Sequence, residues 1–207
     1  MKALIIVDVQ NDFLPGGALA VPEGDQVIPV INKISKCFPV VVATQDWHPN
    51  GHMSFAVNQP GEKRPFEEGI VGGIHQLLWP VHCVQGSHGA ELASALDQKP
   101  VHAIIRKGTH PEIDSYSAFF DMEGKNPTGL DGYLRSRSVD EIYVSGLAAD
   151  VCVYFTIMDA LRLGYTCYLI EDASRPVEVE KGDYKKARKS MENAGAKIVH
   201  SSTFSSN

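Results

Sequence analysis

The chain has 207 residues, 43% of them hydrophobic, with four cysteines and a formal net charge of −6. That size and apolar content suit one soluble α/β domain spanning residues 1–207, and no linker divides it. The acidic balance and the lack of a basic block exclude nucleic acid as an expected partner. The N-terminal run Ala3-Leu4-Ile5-Ile6-Val7 stops at Asp8, too short for a membrane-spanning helix or a signal-peptide core. Cys37, Cys83, Cys152 and Cys167 show no C-x-x-C spacing, so no disulfide framework is expected and the cytoplasm is the default compartment.

In chain order, a strand is expected at 3–7, then a helix capped by Asp25 with Val27, Ile28, Ile31 and Ile34 on one face. A second strand is expected at 40–43. From 45 to about 100 the rhythm breaks into a long stretch rich in Gly, Pro and His, with one short helical piece at 91–96; a connection of this length is usually functional. Strands follow at 101–105 and 141–144, separated by a helix marked by Leu130 and Leu134. Val151 to Leu163 reads as a buried helix. A strand at 166–170 and a helix striped by Tyr184, Ala187, Met191 and Ala194 come next, Gly195 stopping the helix, and a last strand at 197–199. The strand runs are continuous rather than alternating, as in parallel strands buried on both faces. Strand and helix alternate, which predicts a doubly wound, mostly parallel six-stranded sheet flanked by helices.

Open α/β sheets bind ligands at the carboxyl ends of their strands. Asp8, Lys107 and Cys152 all fall at such ends. Cys152 also opens a helix, where backbone N–H groups and the helix dipole favour a thiolate and can hold an oxyanion. An Asp beside it can take its proton and pass it to a leaving amine, and a Lys can hold two anions together. Each residue alone is more simply a cap, a surface cation or an inert thiol; their convergence on one edge argues for chemistry. In Asp46-Trp47-His48, Asp46 and His48 point to the same side of an extended segment and suit a divalent metal. His82 of Trp79-Pro80-Val81-His82-Cys83 is the third ligand expected, with His52 or Ser54 as a possible fourth. Zinc, iron and manganese all accept such a set. Cys83 points away from His82 and is read as structural. Phe13, Trp47, Trp79 and Tyr116 can wall a flat substrate, or serve core packing alone.

These motifs together resemble the isochorismatase-like cysteine hydrolases, and within them the metal-bearing, nicotinamide-hydrolysing branch. The resemblance runs from Ile6-Val7-Asp8-Val9-Gln10-Asn11-Asp12-Phe13 and Pro15 to Val21 through Asp46 to Phe55, Trp79 to Gly86, Lys107-Gly108, Asp114 to Phe120 and Gly146 to Val153. It implies the isochorismatase-like hydrolase fold, a triad of Asp8, Lys107 and Cys152, and a metal on Asp46, His48 and His82. It further implies a cis peptide at Leu147–Ala148, an oxyanion hole from the N–H groups of Ala148 and Cys152, and a nicotinamide ring held between Phe13 and Trp79, beside Tyr116. The implied activity is deamidation through a Cys152 thioester in NAD salvage, with pyrazinamide as a second substrate. Ala149, where many relatives carry Thr, and His88 depart from the pattern. Three alternatives stay open: a metallohydrolase using metal-bound hydroxide, a relative acting on N-carbamoyl, ureido or isochorismate substrates, and a non-enzymatic binding module. Self-association, as a homo-oligomer, is also open, and a membrane partner is not expected.

Overall fold

The computed structural model describes residues 1–204. Six parallel strands form one sheet: β1 (Lys2–Val7), β2 (Val40–Asp46), β5 (Ala103–Lys107), β6 (Glu141–Leu147), β7 (Thr166–Arg175) and β8 (Lys197–Val199). Their order is β5-β2-β1-β6-β7-β8. The remaining strands, β3 (Glu68–Val71) and β4 (Ile74–Leu77), make an antiparallel hairpin inside the long 45–100 stretch. Ala3 to Val7 are fully buried, and alternate residues feed opposite faces: Leu4 and Ile6 one core, Ala3, Ile5 and Val7 the other.

Helix α1 (Val27–Ile34) covers the first core with Val27, Ile28, Ile31 and Ile34. Helices α2 (Leu130–Arg135), α3 (Cys152–Arg162) and α4 (Asp183–Ala194) pack on the second, through Leu130 and Leu134, Val153 and Ile157, and Met191. Helices on both faces make the sheet doubly wound, as expected. Gly195 ends α4 at a φ of +107°, which glycine adopts without penalty.

Two local expectations fail. Asp25 does not cap α1: it lies in a 3-10 turn, Gly24–Gln26, that runs directly into the helix, and neither turn nor helix has a side-chain cap. Residues 91–96 form no helix. Their backbone bonds go sideways instead, Asn11 N–H to the Glu91 carbonyl at 3.1 Å and Ala93 N–H to the Val9 carbonyl at 2.9 Å. A 3-10 turn at His88–Ala90 precedes them, and Leu92, Ala93 and Leu96 still enter the core.

The strands reach further at their carboxyl ends than hydropathy suggests. β2 runs past Ala43 to Asp46 and β5 to Lys107, because these polar residues are buried and their backbones stay in the ladder, Asp46 opposite Lys107. The six strands stay parallel, but the direction in which successive strands are added reverses between β1 and β6, where a crevice opens at the strand ends.

Candidate active site

Asp8 follows β1 and Cys152 follows β6, so the two flank that crevice. Gly146 lets the strands close there: a Cβ at this position would lie 2.1 Å from the Val7 carbonyl oxygen, and its φ is +112°. The Leu147–Ala148 peptide is cis. Asp8 itself has a φ of +48° and is pinned by Thr44, whose hydroxyl donates to Oδ1 at 2.5 Å and accepts the Asp8 N–H at 3.1 Å.

Lys107 is the hub. Its Nζ lies 2.9 Å from Asp8 Oδ2, 2.5 Å from Asp46 Oδ1, 3.4 Å from Cys152 Sγ and 3.0 Å from the Ser115 carbonyl oxygen. Acceptor atoms of Asp8, Asp46 and Cys152 fall within 4.8 Å of one another. Burial pushes the Asp8 carboxyl up, and the Lys107 charge pulls it only part of the way back. For Asp46, burial is outweighed by Lys107 and His48, which hold it well below the usual carboxylate range. Burial dominates at Cys152 and raises the thiol well above its ordinary value, despite Lys107. The helix terminus and Lys107 favour a thiolate here, and burial opposes it. Asp8 is the carboxylate beside this thiol, both held against Lys107.

The second group forms where Asp46-Trp47-His48 runs beside residues 83–85. His48 N–H donates to the Cys83 carbonyl at 3.0 Å and Gln85 N–H to the His48 carbonyl at 2.9 Å, which brings His82 alongside His48. His48 Nδ1 is 2.9 Å from the Gly108 carbonyl oxygen and His82 Nδ1 is 2.8 Å from that of Pro80. Both rings thus keep Nε2 for Asp46, at 3.7 and 3.8 Å from Oδ2, too far for hydrogen bonds and converging on one point. Imidazoles fixed by backbone carbonyls, with free nitrogens facing a low-pKa carboxylate, are the donor set of a divalent metal. Asp46, His48 and His82 fit the ion that the sequence suggests.

His52 lies outside this trio. It groups with His48 and Asp114 within 4.8 Å, and its Nδ1 sits 2.7 Å from Ser54 Oγ. Burial lowers its pKa to about 4. Cys83 points into the core, as expected for a structural thiol, and burial raises it far above its ordinary range. His88 is exposed and pairs with Glu91 at 3.0 Å.

Both groups open into one pocket lined by Phe13, Trp79 and Tyr116 together with Asp46, His48, His82, Ala148 and Cys152. Trp79 Nε1 donates to Tyr116 Oη at 3.0 Å, fixing two walls. Trp47 is not a wall; it stacks under the Arg106 guanidinium, 3.8 Å from its ring centre. Several contributors have no role legible in the sequence, though Gln10, Leu19, Val21 and Val151 lie within its motifs. Leu19, Val21, Val151 and Val177 are plain aliphatic wall residues. Gln10 is buried and braces Asp46, its Oε1 accepting the Asp46 N–H at 2.8 Å and its Nε2 donating to the Asp46 carbonyl at 2.9 Å. Asp114 lines the pocket and accepts from Gln76 of β4 at 2.8 Å. The Asp114-Ser115-Tyr116-Ser117 run marked the region, without a role for its first residue.

An isochorismatase domain model matches residues 2–203. A nicotinamidase of Escherichia coli (strain K12) is 48% identical over 201 residues, covering 95% of this chain and 93% of the relative. Among solved structures, a nicotinamidase/pyrazinamidase from Acinetobacter baumannii superposes with a TM-score of 0.94 at 46% identity, covering 98% of this chain and 97% of the other. A pyrazinamidase of Pyrococcus horikoshii in complex with zinc gives a TM-score of 0.78 at 38% identity, covering 96% and 98%.

Proposed function

Because the chain belongs to the isochorismatase family, we infer that its reaction is deamidation of an aromatic carboxamide, nicotinamide and water giving nicotinate and ammonia. It is an amidohydrolase of the nicotinamidase kind, fitted to NAD salvage, like its relatives at nearly half identity over nearly the whole length. The observation that carries the mechanism is the placement of Lys107 Nζ against Asp8, Asp46 and Cys152 at once.

In the proposed mechanism Asp8 takes the Cys152 proton as Sγ attacks the carboxamide carbon. The N–H groups of Ala148 and Cys152, both at the pocket wall, hold the oxyanion. Asp8 returns the proton to the departing nitrogen, ammonia leaves and a thioester remains. Water then attacks the thioester with Asp8 as base, releasing nicotinate and restoring the thiol. Lys107 offsets the negative charge as it passes between the Asp8 carboxylate and the sulfur. Phe13, Trp79 and Tyr116 hold the ring. A divalent ion on Asp46, His48 and His82, zinc as the first choice, would supply a Lewis-acid anchor for the pyridine nitrogen. Pyrazinamide, which keeps a ring nitrogen in the same position, fits the same reading. The four cysteines are all free thiols, which suits the reducing cytoplasm; among the described residues no helix is long and apolar enough to cross a membrane.

Cys152→Ala tests the covalent route. Ammonia release from nicotinamide is expected to fall by roughly 10⁴-fold or more, as for other nucleophiles. Turnover near the wild-type rate would sink it.

A further inference from the structure

Asp150 stands two residues before the nucleophile, and its carboxylate is bonded away from the triad. Its Oδ1 accepts the N–H of Val177 at 2.9 Å and its Oδ2 accepts that of Glu178 at 2.8 Å. A backbone bond from Ala149 N–H to the Arg175 carbonyl, 2.8 Å, reinforces the tie. The turn that carries Cys152 is thus fastened to the segment leaving β7. Glu178 holds a φ of +44°, a conformation that a non-glycine residue keeps when outside bonds impose it. Among the described residues no Lys or Arg pairs with Asp150, and burial pushes its carboxyl up. What this half-buried anion holds is backbone.

Val177 is the residue so held, and it stands at a boundary. It lines the inner pocket with Ala148, Val151 and Cys152. It also lines a second, wider cleft outside, which shares Trp79, Tyr116 and Val151 with the inner one and continues to Lys186 and Ser190 of α4. A side chain common to both spaces limits the size of what passes from one to the other.

We propose that Asp150 is a specificity-determining positioning residue: its carboxylate clamps the Val177 wall against the pocket, so that one six-membered ring is accepted and a fused bicyclic ring is turned away. The substrate side of this proposal rests on the nicotinamide reading above; the clamp does not. The test compares wild type, Asp150→Asn, Asp150→Ala, Val177→Ala and the Asp150→Ala/Val177→Ala double variant. Each is assayed on nicotinamide and quinoline-3-carboxamide, and deuterium uptake over residues 176–182 is followed by mass spectrometry. Both Asp150 variants should exchange faster at 177–178 and should lose about tenfold in the kcat/KM preference for nicotinamide, mainly through KM. Val177→Ala should lose a similar preference with exchange unchanged, and the double variant should lose no more than the larger single. Partial unfolding would cut both substrates alike and leave their ratio unmoved. An unchanged ratio or unchanged exchange in the Asp150 variants overturns the proposal, as does an additive double variant. Should Asp150→Ala not fold, Asp150→Asn, which keeps one acceptor, decides by the same readouts. Failure of wild type to release ammonia from nicotinamide would sink the activity alone, and the exchange measurement would still decide the clamp.

Discussion

Asp8, Asp46 and the Cys152 thiol bring three acidic groups into one buried space, and among the described residues Lys107 is the single cation touching all of them. Removing one partner of a buried charge network leaves the others uncompensated, which costs about 3–5 kcal/mol. Lys107→Met, studied in metal-stripped protein, is expected to melt about 10 °C lower at neutral pH. Burial already raises the Asp8 carboxyl with the lysine in place, and losing that charge raises it further, so ionising Asp8 opposes folding. The deficit should therefore shrink as pH falls and Asp8 takes up its proton; a melting-temperature gap constant from pH 8 to pH 5 would contradict this. At this scale the sequence was informative wherever a chemically distinctive side chain fell at a strand end, as Asp8, Lys107 and Cys152 do. It placed Gln10, Asp114 and Asp150 within motifs without giving them a role, and it was silent on Val177. Their roles come from contacts made across the fold, and a lone Gln, Asp or Val has no local signature for them.

Helix α4 is joined to the sheet by a polar network as well as by Met191. Glu171 of β7 accepts from Arg188 Nε at 2.7 Å and from Tyr184 Oη at 3.0 Å, and His200 beyond β8 approaches it at 3.5 Å. Burial would raise the Glu171 carboxyl, but the bonds from Arg188 and Tyr184 hold it below 4.5. A carboxyl depressed in the folded state contributes stability above its unfolded value and loses it as pH drops through the folded one. Glu171→Gln should accordingly melt lower at pH 7 by a degree or two, as expected of a partly exposed pair. The two melting curves should converge as pH falls below the ordinary glutamate range; a gap that persists in strong acid would mean that packing, not charge, is what was lost. Elements of this kind were legible where an apolar run or a 3.6-residue stripe declared them, as in β1, α1 and α4. The β3–β4 hairpin was not, because Gly72 and Gly73 turn two short strands of mixed polarity. The helix expected at 91–96 failed because Leu92, Ala93 and Leu96 bury themselves from a segment that bonds to Val9 and Asn11 and then turns, Leu96 N–H donating to the Ala93 carbonyl at 3.0 Å.

Across the whole molecule, the sheet order puts β1 and β6 side by side with connections leaving in opposite directions, and this makes the crevice. Alternating strands and helices predict such a sheet, while strand order follows from long-range pairing that no local run encodes. The long 45–100 stretch is folded onto the crevice by its own bonds, Asp12 Oδ2 accepting the Cys83 N–H at 2.7 Å and Trp79 N–H reaching the Ser54 carbonyl at 2.8 Å. Asp46 belongs to β2, His48 lies just beyond it and His82 is 36 residues from Asp46, so an ion shared by the three would cross-link loop to sheet. A ligand that binds only the folded state stabilises it by about 2.7 kcal/mol at a hundredfold excess over its Kd. For a domain of this size that is roughly 5–10 °C in melting temperature. Zinc added back to chelated protein should give a shift of this order. Asp46→Ala, His48→Ala and His82→Ala should each abolish most of it, while Cys152→Ala should keep it in full. A shift that survives all three ligand variants would place the ion elsewhere, and no shift with zinc, iron or manganese would show that Asp46, His48 and His82 hold no metal. Because Cys152→Ala removes turnover but not this shift, the metal centre and the nucleophile can be judged independently in the same protein.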